Sequence, residues 1–385
     1  MQIVRYNMIL APTIIIMKPV LGCNLACKYC YMGYGKKTGV TVMSYSLLKK
    51  VMADVGALGL SQVEFNWHGG EPLLAGIRYF DTAVRLQKRY IGSHCSVKNS
   101  LQTNGTVLNM DWVNFLDDNS IGIGLSLDGP EDIQNYTRPY RNGLGSFSNV
   151  MRGVSYLKKS KGNNSRVHAL PVVSKKSLNH SERIFSFFVG NEIFNFAFTP
   201  CFPKRDGLIT SKITNQMFIT SRDFSAFMID ICNQWFKVDD ERIEIRFLSE
   251  ITKMLLGGKS RLCIFQQSTC CSRFLTIDAF GNVYPCDCYM SERFTIGNIA
   301  NMELTDILAS NPRQRFSKRV GKLPSKCTQC SIFFVCGGGC SYYRYFIDGT
   351  FNRPNYYCGA IKKIVQSIQL TLQGEKRNEE ENELS

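Results

Sequence analysis

The sequence predicts an α/β protein: a partial, open (β/α)6 TIM-like barrel with a C-terminal cysteine-rich domain. Residues 13 to about 200 alternate short apolar runs with amphipathic stretches, the pattern of βα units around a parallel sheet. Cysteines then crowd residues 263–358, separated by glycine and turn residues. The expected strands are 13–18, 63–68, 96–103, 121–128, 166–173 and 194–200. The expected helices are 44–58, 77–90, 110–119, 146–159 and 181–190, with Ser44 and Ser146 suited to N-caps. Further on, 223–236 reads as helix, and 242–256 as a strand followed by a helix. The domain scheme is a barrel over 1–235, a connector over 236–262, the cysteine-rich domain over 263–360, and a helix with an acidic tail over 361–385. That tail is expected to be disordered. In barrels of this kind, chemistry gathers at the C-terminal ends of the strands.

The chain has 385 residues, 44% hydrophobic and 20% charged, long enough for one large domain and a smaller one. No run approaches the roughly 20 apolar residues of a membrane span. The apolar stretch 13–17 is too short for a signal-peptide core, so a cytoplasmic setting is expected, and disulfides are rare there. Sixteen cysteines in that setting call for metal. The formal charge of +15 suggests nucleic acid at first sight. Residues 375–385 hold five Glu against Lys376 and Arg377, so the tail carries −3 and the body +18, without long basic blocks. Such a diffuse surface suits an acidic peptide or an electron-donor protein, and nucleic acid is not the expected partner.

Cys23, Cys27 and Cys30 stand at C-x3-C-x2-C spacing. Three thiols can hold three irons of a [4Fe–4S] cube and leave the fourth iron open. A closed electron-transfer cluster or a structural zinc takes four ligands, and no fourth Cys or His is near in sequence. For this spacing the expected ligand of the open iron is S-adenosylmethionine (SAM), chelated through its amino and carboxylate groups. A zinc knuckle, or cysteines buried as small hydrophobes, is the alternative. Gly69-Gly70-Glu71-Pro72 follows the second strand, where glycines let backbone carbonyls approach a ligand and Glu71 can accept an amine. The third strand ends in Gln102-Thr103-Asn104-Gly105, the fourth in Ser126-Leu127-Asp128-Gly129-Pro130. Each could equally be an ordinary turn.

The second cysteine field contains Cys263, Cys270, Cys271 and Cys286, then Cys327, Cys330, Cys336, Cys340 and Cys358. Two zinc sites could also use such pairs. Taken with the first motif, the spacing resembles radical SAM enzymes with a SPASM extension. It is most similar to anaerobic sulfatase-maturating enzymes through Ser100–Gly105, Gly124–Pro130, Tyr284–Asp287 and Gly297-Asn298-Ile299. The resemblance implies three [4Fe–4S] clusters and SAM as cofactors. Gly69, Gly70 and Glu71 would meet the SAM amino group, Ser126 and Arg138 its carboxylate, and Gln102 and Asn104 would line the pocket. One auxiliary cluster would take Cys263, Cys271, Cys286 and Cys340, with Cys270 an alternative to Cys271. The other would take Cys327, Cys330, Cys336 and Cys358. Asp287 would be the base, its pKa raised by burial.

By the same resemblance the substrate is a peptide or unfolded protein, and reduced flavodoxin or a ferredoxin-type protein donates electrons. A 5′-deoxyadenosyl radical would remove a hydrogen, turning Cys or Ser into formylglycine. His68 and Met32 depart from residues common in that family, which leaves open a maturase that cross-links ribosomal peptides. An RNA-modifying radical SAM enzyme and a non-catalytic metal-binding protein are the readings outside that class.

Overall fold

A computed structural model of the chain describes residues 12–33, 39–162, 167–201, 216–265 and 271–383, with side chains through 374. The chain forms two compact units that interleave in sequence. The first takes Met1–Ser126, Arg138–Val167 and Thr269–Gly321, the second Leu127–Thr137, His168–Ser268 and Lys322–Ser385.

In the first unit, β1 (Ile14–Leu21) is followed by α1 (Tyr45–Ala57), β2 (Gln62–Gly69), α2 (Ile77–Tyr90), β3 (Ser96–Thr103), α3 (Met110–Asp118), β4 (Ile121–Leu125) and α4 (Phe147–Leu157). A later stretch adds β5 (Phe274–Asp278), β6 (Asn282–Tyr284), β7 (Gly297–Asn298), α5 (Leu304–Ala309) and α6 (Asn311–Gly321). Within this unit the sheet order is β4-β3-β2-β1-β5-β6-β7. Strands β1 to β4 are parallel, as the βα alternation predicts. β5 also joins β1 in parallel, from Ile14 opposite Phe274 to Lys18 opposite Asp278, and β6 and β7 fold back antiparallel. The cysteine-rich stretch thus contributes strands to the same sheet as the first cysteine motif.

Ile15, Met17, Val20, Phe65, Trp67, Leu101 and Ile277 form the centre of this unit's core. Central strand β1 runs apolar, as a strand covered on both faces does, whereas β2 and β4 alternate, burying Val63, Phe65 and Trp67 and then Ile121, Ile123 and Leu125. Lys18 is the exception, a fully buried cation within the apolar run of β1. The pairing of β1 with β2 shifts between Met17 and Val20, where three steps on β1 face two on β2. This bulge contains Lys18 and Pro19, and bulges re-aim side chains beside functional sites.

Ser44 caps α1 as expected, accepting from the Leu47 N–H at 3.2 Å. Ser146 precedes α4 but makes no cap bond. Its backbone is already helical, and its hydroxyl donates to the Arg138 carbonyl at 2.7 Å. Capping needs an extended residue, so Ser146 ties down the Arg138 loop instead.

The second unit is held by aromatic packing among Phe185, Phe188, Phe196, Phe198 and Phe227. The expected strand 166–173 is present as His168–Ala169 and Val172–Val173, broken around Pro171, which has no N–H to pair. Residue 166 lies outside the described residues. Glu244–Ile245, in the stretch expected as a connector, pairs in parallel with Asn195–Phe196. The helix Ser221–Val238 starts with a full capping box between Thr220 and Asp223. The last helix runs from Cys358 to Glu383, through the tail expected to be disordered. Glu, Lys and Arg are strong helix formers, and an already nucleated helix extends cheaply. Among the described residues no helix is long and apolar enough to cross a membrane.

Glycine in a helix normally costs stability relative to alanine, yet Gly56 of α1 has no room for a methyl group. A Cβ there would overlap the Tyr90 carbonyl at the end of α2. Gly56→Ala should therefore lower the urea unfolding midpoint, by about 1–3 kcal/mol of overpacking. Gly190→Ala, where nothing lies within 4 Å, should leave the midpoint unchanged or raise it.

Candidate active site

The loop after β1 carries Cys23, Cys27 and Cys30, and backbone contact fixes it to the loop after β2. The Gly70 N–H donates to Val20 O at 3.1 Å and the Glu71 N–H to Gly22 O at 3.0 Å. A Cβ on Gly70 would overlap the Gly22 carbonyl oxygen. Gly69 has φ +140°, and a Cβ there would sit 2.8 Å from Val20 O. Only glycine permits this approach. On its other side the cysteine loop bridges Leu25 to Tyr140, and the Ala26 N–H donates to Pro139 O at 2.8 Å. The adjacent Arg138 guanidinium lies 5.2 Å from the Tyr29 ring centroid. One unit of the fold therefore brings Cys23, Cys27, Cys30, Gly69, Gly70 and Arg138 together.

Glu71 is fully buried. Its carboxylate accepts from the Thr103 hydroxyl and the Asn104 N–H at 2.7 Å each, and from the Leu73 N–H at 3.1 Å. Burial pushes the carboxyl up to about 7 against these bonds. Its carboxylate oxygens are thus engaged in holding the ends of β2 and β3 together. The backbone carbonyls of the glycine loop are the groups suited to meet a ligand amine. Gln102 Nε2 donates to Ser126 Oγ at 2.9 Å, linking the ends of β3 and β4. Asn104 Nδ2 reaches Asn24 Oδ1 at 2.9 Å and Cys23 Sγ at 3.6 Å, and the Leu25 N–H points at the same sulfur at 3.4 Å. N–H donors aimed at a cysteine sulfur are how proteins stabilise and tune iron–sulfur ligands, so the donor set fits a cluster.

Asp287 is part of a polar group unforeseen in the sequence. Lys18 Nζ meets Asp287 Oδ1 at 2.6 Å, and the Tyr31 hydroxyl donates to Oδ2 at 2.7 Å. Lys18 also donates to the Tyr31 oxygen at 3.1 Å. Burial raises the Asp287 carboxyl, but the Lys18 charge, the nearby His68 and these bonds outweigh it and hold the carboxyl well below the usual range. The expected upward shift is thus reversed, because the deciding neighbour is a cation. His68 Nδ1 accepts the Gly69 N–H at 2.7 Å, which leaves its proton on Nε2. Burial, helped by Lys18, lowers His68 to about 4, so it is a neutral donor at physiological pH. Sequence reasoning missed Lys18 and Tyr31. The available signals were a lone cation inside an apolar strand and an aromatic directly after the third cysteine.

Cys286 hydrogen-bonds the Cys271 and Cys288 thiols, and these bonds outweigh burial to hold it well below the ordinary thiol range. Cys288 therefore also lies at this site. Cys270 lies outside the described residues. Cys263 and Cys340 are both in the second unit, Cys263 in a short 3-10 turn and Cys340 before a one-turn helix. Cys327, Cys330, Cys336 and Cys358 are there too. Burial pushes the Cys336 thiol up to about 12, and the charges of Cys358, Cys327 and Cys330 add to this, so the four thiols lie within electrostatic range. Four such thiols fit a closed cluster. Among the described residues no three Cys, His, Asp or Glu side chains surround a single ion, whereas a cube spreads its ligands over separate irons. Cys95, Cys201 and Cys232 are buried as small hydrophobes.

The Radical SAM superfamily model matches residues 17–188, and the SPASM iron-sulfur cluster-binding domain model matches 269–331. A Cysteine-type anaerobic sulfatase-maturating enzyme of Clostridium perfringens is 30% identical over 363 residues, covering 92% of this chain and 96% of the relative. A Serine-type anaerobic sulfatase-maturating enzyme of Bacteroides thetaiotaomicron is 28% identical, covering 96% and 92%. The solved structure of native anSMEcpe with bound AdoMet superposes with a TM-score of 0.84 at 28% identity, covering 95% of this chain and all of that one. The same protein has been solved with bound AdoMet and the Kp18Cys peptide.

Replacing Lys18 tests the ion pair. With its folded pKa depressed, Asp287 contributes stability above its unfolded pKa near 4, which is lost as pH falls through the lower folded value. Lys18→Met leaves a half-buried carboxylate uncompensated, a loss of about 3 kcal/mol, and lets it protonate at higher pH. The gap in urea midpoint between wild type and variant should be largest at pH 7.5 and narrow towards pH 5. An equal gap at both values would refute the electrostatic account.

Proposed function

The chain belongs to the anaerobic sulfatase-maturating enzymes of the radical SAM superfamily, and from that membership we propose that it oxidises a Cys or Ser in a peptide or unfolded protein to formylglycine. When bound, the open iron of a [4Fe–4S] cluster and SAM supply a 5′-deoxyadenosyl radical, which removes a hydrogen from an unactivated carbon. Cys23, Cys27 and Cys30 would hold that cluster. Backbone carbonyls at Gly69 and Gly70 would receive the SAM amino group, and Arg138, with Ser126 and Gln102, its carboxylate end. The Arg fork suits a carboxylate. Glu71 and Asn104 position these loops.

Two auxiliary [4Fe–4S] clusters complete the reading, one on Cys263, Cys271, Cys286 and Cys340, the other on Cys327, Cys330, Cys336 and Cys358. The barrel over 1–235 and the cysteine-rich domain over 263–360 remain the working division, supported by the two matched regions. A flavodoxin or ferredoxin-type donor suits the basic body of the chain.

The observation that carries the proposal is the Asp287 carboxylate held by Lys18 and Tyr31. A base kept so weak cannot deprotonate an ordinary thiol or alcohol. It can take the proton once the adjacent carbon carries an unpaired electron, because the S–H or O–H is then far more acidic. Proton loss to Asp287 would thus accompany loss of the second electron, for which the auxiliary clusters would be the acceptor, leaving a carbon–sulfur or carbon–oxygen double bond. Hydrolysis of the thioaldehyde, or the aldehyde itself, gives formylglycine.

Incubation with SAM, a low-potential reductant and a sulfatase-derived Cys or Ser peptide should yield formylglycine by mass spectrometry and hydrazide capture. Absence of product on both peptides, with 5′-deoxyadenosine still released, would shift the reading to a maturase of other peptides. Asp287→Asn should retain SAM cleavage while losing about 10²-fold in product, and Cys27→Ala should abolish both.

A further inference from the structure

Arg313, on α6, is 1% exposed. Its Nη2 donates to the carbonyls of Ser272 at 2.9 Å and Cys271 at 3.3 Å. Nε and Nη1 are buried without a hydrogen-bond partner, and among the described residues no carboxylate pairs with the guanidinium. An arginine does not shed its charge in a protein, and a buried cation without a counter-charge costs several kcal/mol. The negative groups acting on it are the Cys271 and Cys286 thiols. Cys271 itself has φ +68°, a left-handed backbone unusual for a non-glycine residue, and Arg313 grips its carbonyl. A guanidinium with two open N–H edges beside two thiols is complementary to an anion larger than either thiol.

We infer that Arg313 is the counter-charge of the auxiliary cluster on Cys271 and Cys286, and that it sets how readily that cluster accepts an electron. Uptake of one electron adds one negative charge to an already anionic cluster. A fixed cation stabilises the reduced form more than the oxidised one, and burial keeps water from screening the difference. Nε and Nη1 supply N–H donors for the cluster's sulfurs, and Nη2 holds the strained Cys271 backbone in place. The role is positioning and tuning: Arg313 touches no substrate. This inference rests on the ligand assignment above.

The test is an EPR-monitored redox titration of the anaerobically reconstituted full chain. The signal is assigned by its loss in Cys286→Ala. Arg313→Gln should make reduction of that cluster about tenfold less favourable, a shift of about 59 mV for one electron, with the other signals unmoved. Arg313→Lys keeps the charge and should shift it by less than threefold. Full iron loading with a wild-type titration in both variants overturns the inference. If Arg313→Gln fails to load the cluster, Arg313→Lys decides. Wild-type iron with a near wild-type potential upholds the charge role, and equal loss of iron assigns Arg313 to packing alone. Absence of any auxiliary signal in the wild type refutes the ligand assignment instead, which separates the two failures.

Discussion

The site depends on one close approach, that of Gly70 to the Gly22 carbonyl. It lets three consecutive strand-end loops share one layer of hydrogen bonds. The cysteine loop bonds to the glycine loop through Gly22 and Glu71, and the glycine loop bonds to the β3 loop through the Glu71 carboxylate. The β3 loop then reaches back to Cys23 through Asn104. The circuit is closed, so no loop can move without breaking bonds in the next. A ligand that must present one carbon–hydrogen bond to one radical carbon requires that rigidity.

A second constraint is electrostatic. Lys18 is fully buried and would be intolerable alone, and Asp287 supplies its counter-charge from a distant part of the chain. The pair fixes the protonation states around it. Asp287 is ionised, Tyr31 stays protonated, and His68 stays neutral with its donor at Nε2. Such separation of neighbouring pKa values assigns acid and base roles within one pocket. Arg313 places a second buried positive charge beside the Cys271 and Cys286 thiols.

Much of the fold was legible because hydrophobic periodicity directly reflects burial in βα units. Helix α2 runs from Ile77 to Tyr90 and β3 from Ser96 to Thr103, each with the expected bounds. The strand Phe274–Asp278, which joins β1, was not expected, since five residues among cysteines and turn residues are too short a run for periodicity to mark. The cysteine motif was legible because metal chemistry restricts spacing. The sign of the Asp287 shift was not, since it depends on a lysine far away in sequence. Glu71 looked like an open carboxylate because its three donors come from backbone and hydroxyl groups, which periodicity does not report. The C-terminal helix was expected, but its continuation through the acidic tail was missed because charge composition was weighed above helix propensity.

The bulge in β1 divides the site into a part that is hard to change and a part that is easy. Side chains along a strand are linked by its pleat, so removing the extra residue at Lys18–Pro19 would turn every following residue of the strand to the opposite face. Variation there is all or nothing. Position 68 ends a neighbouring strand and position 32 lies in a turn, and each can exchange a side chain without altering any register. Side chains at positions 68 and 32 can therefore change one at a time, while Lys18 and the residues after it on β1 are tied to a single register.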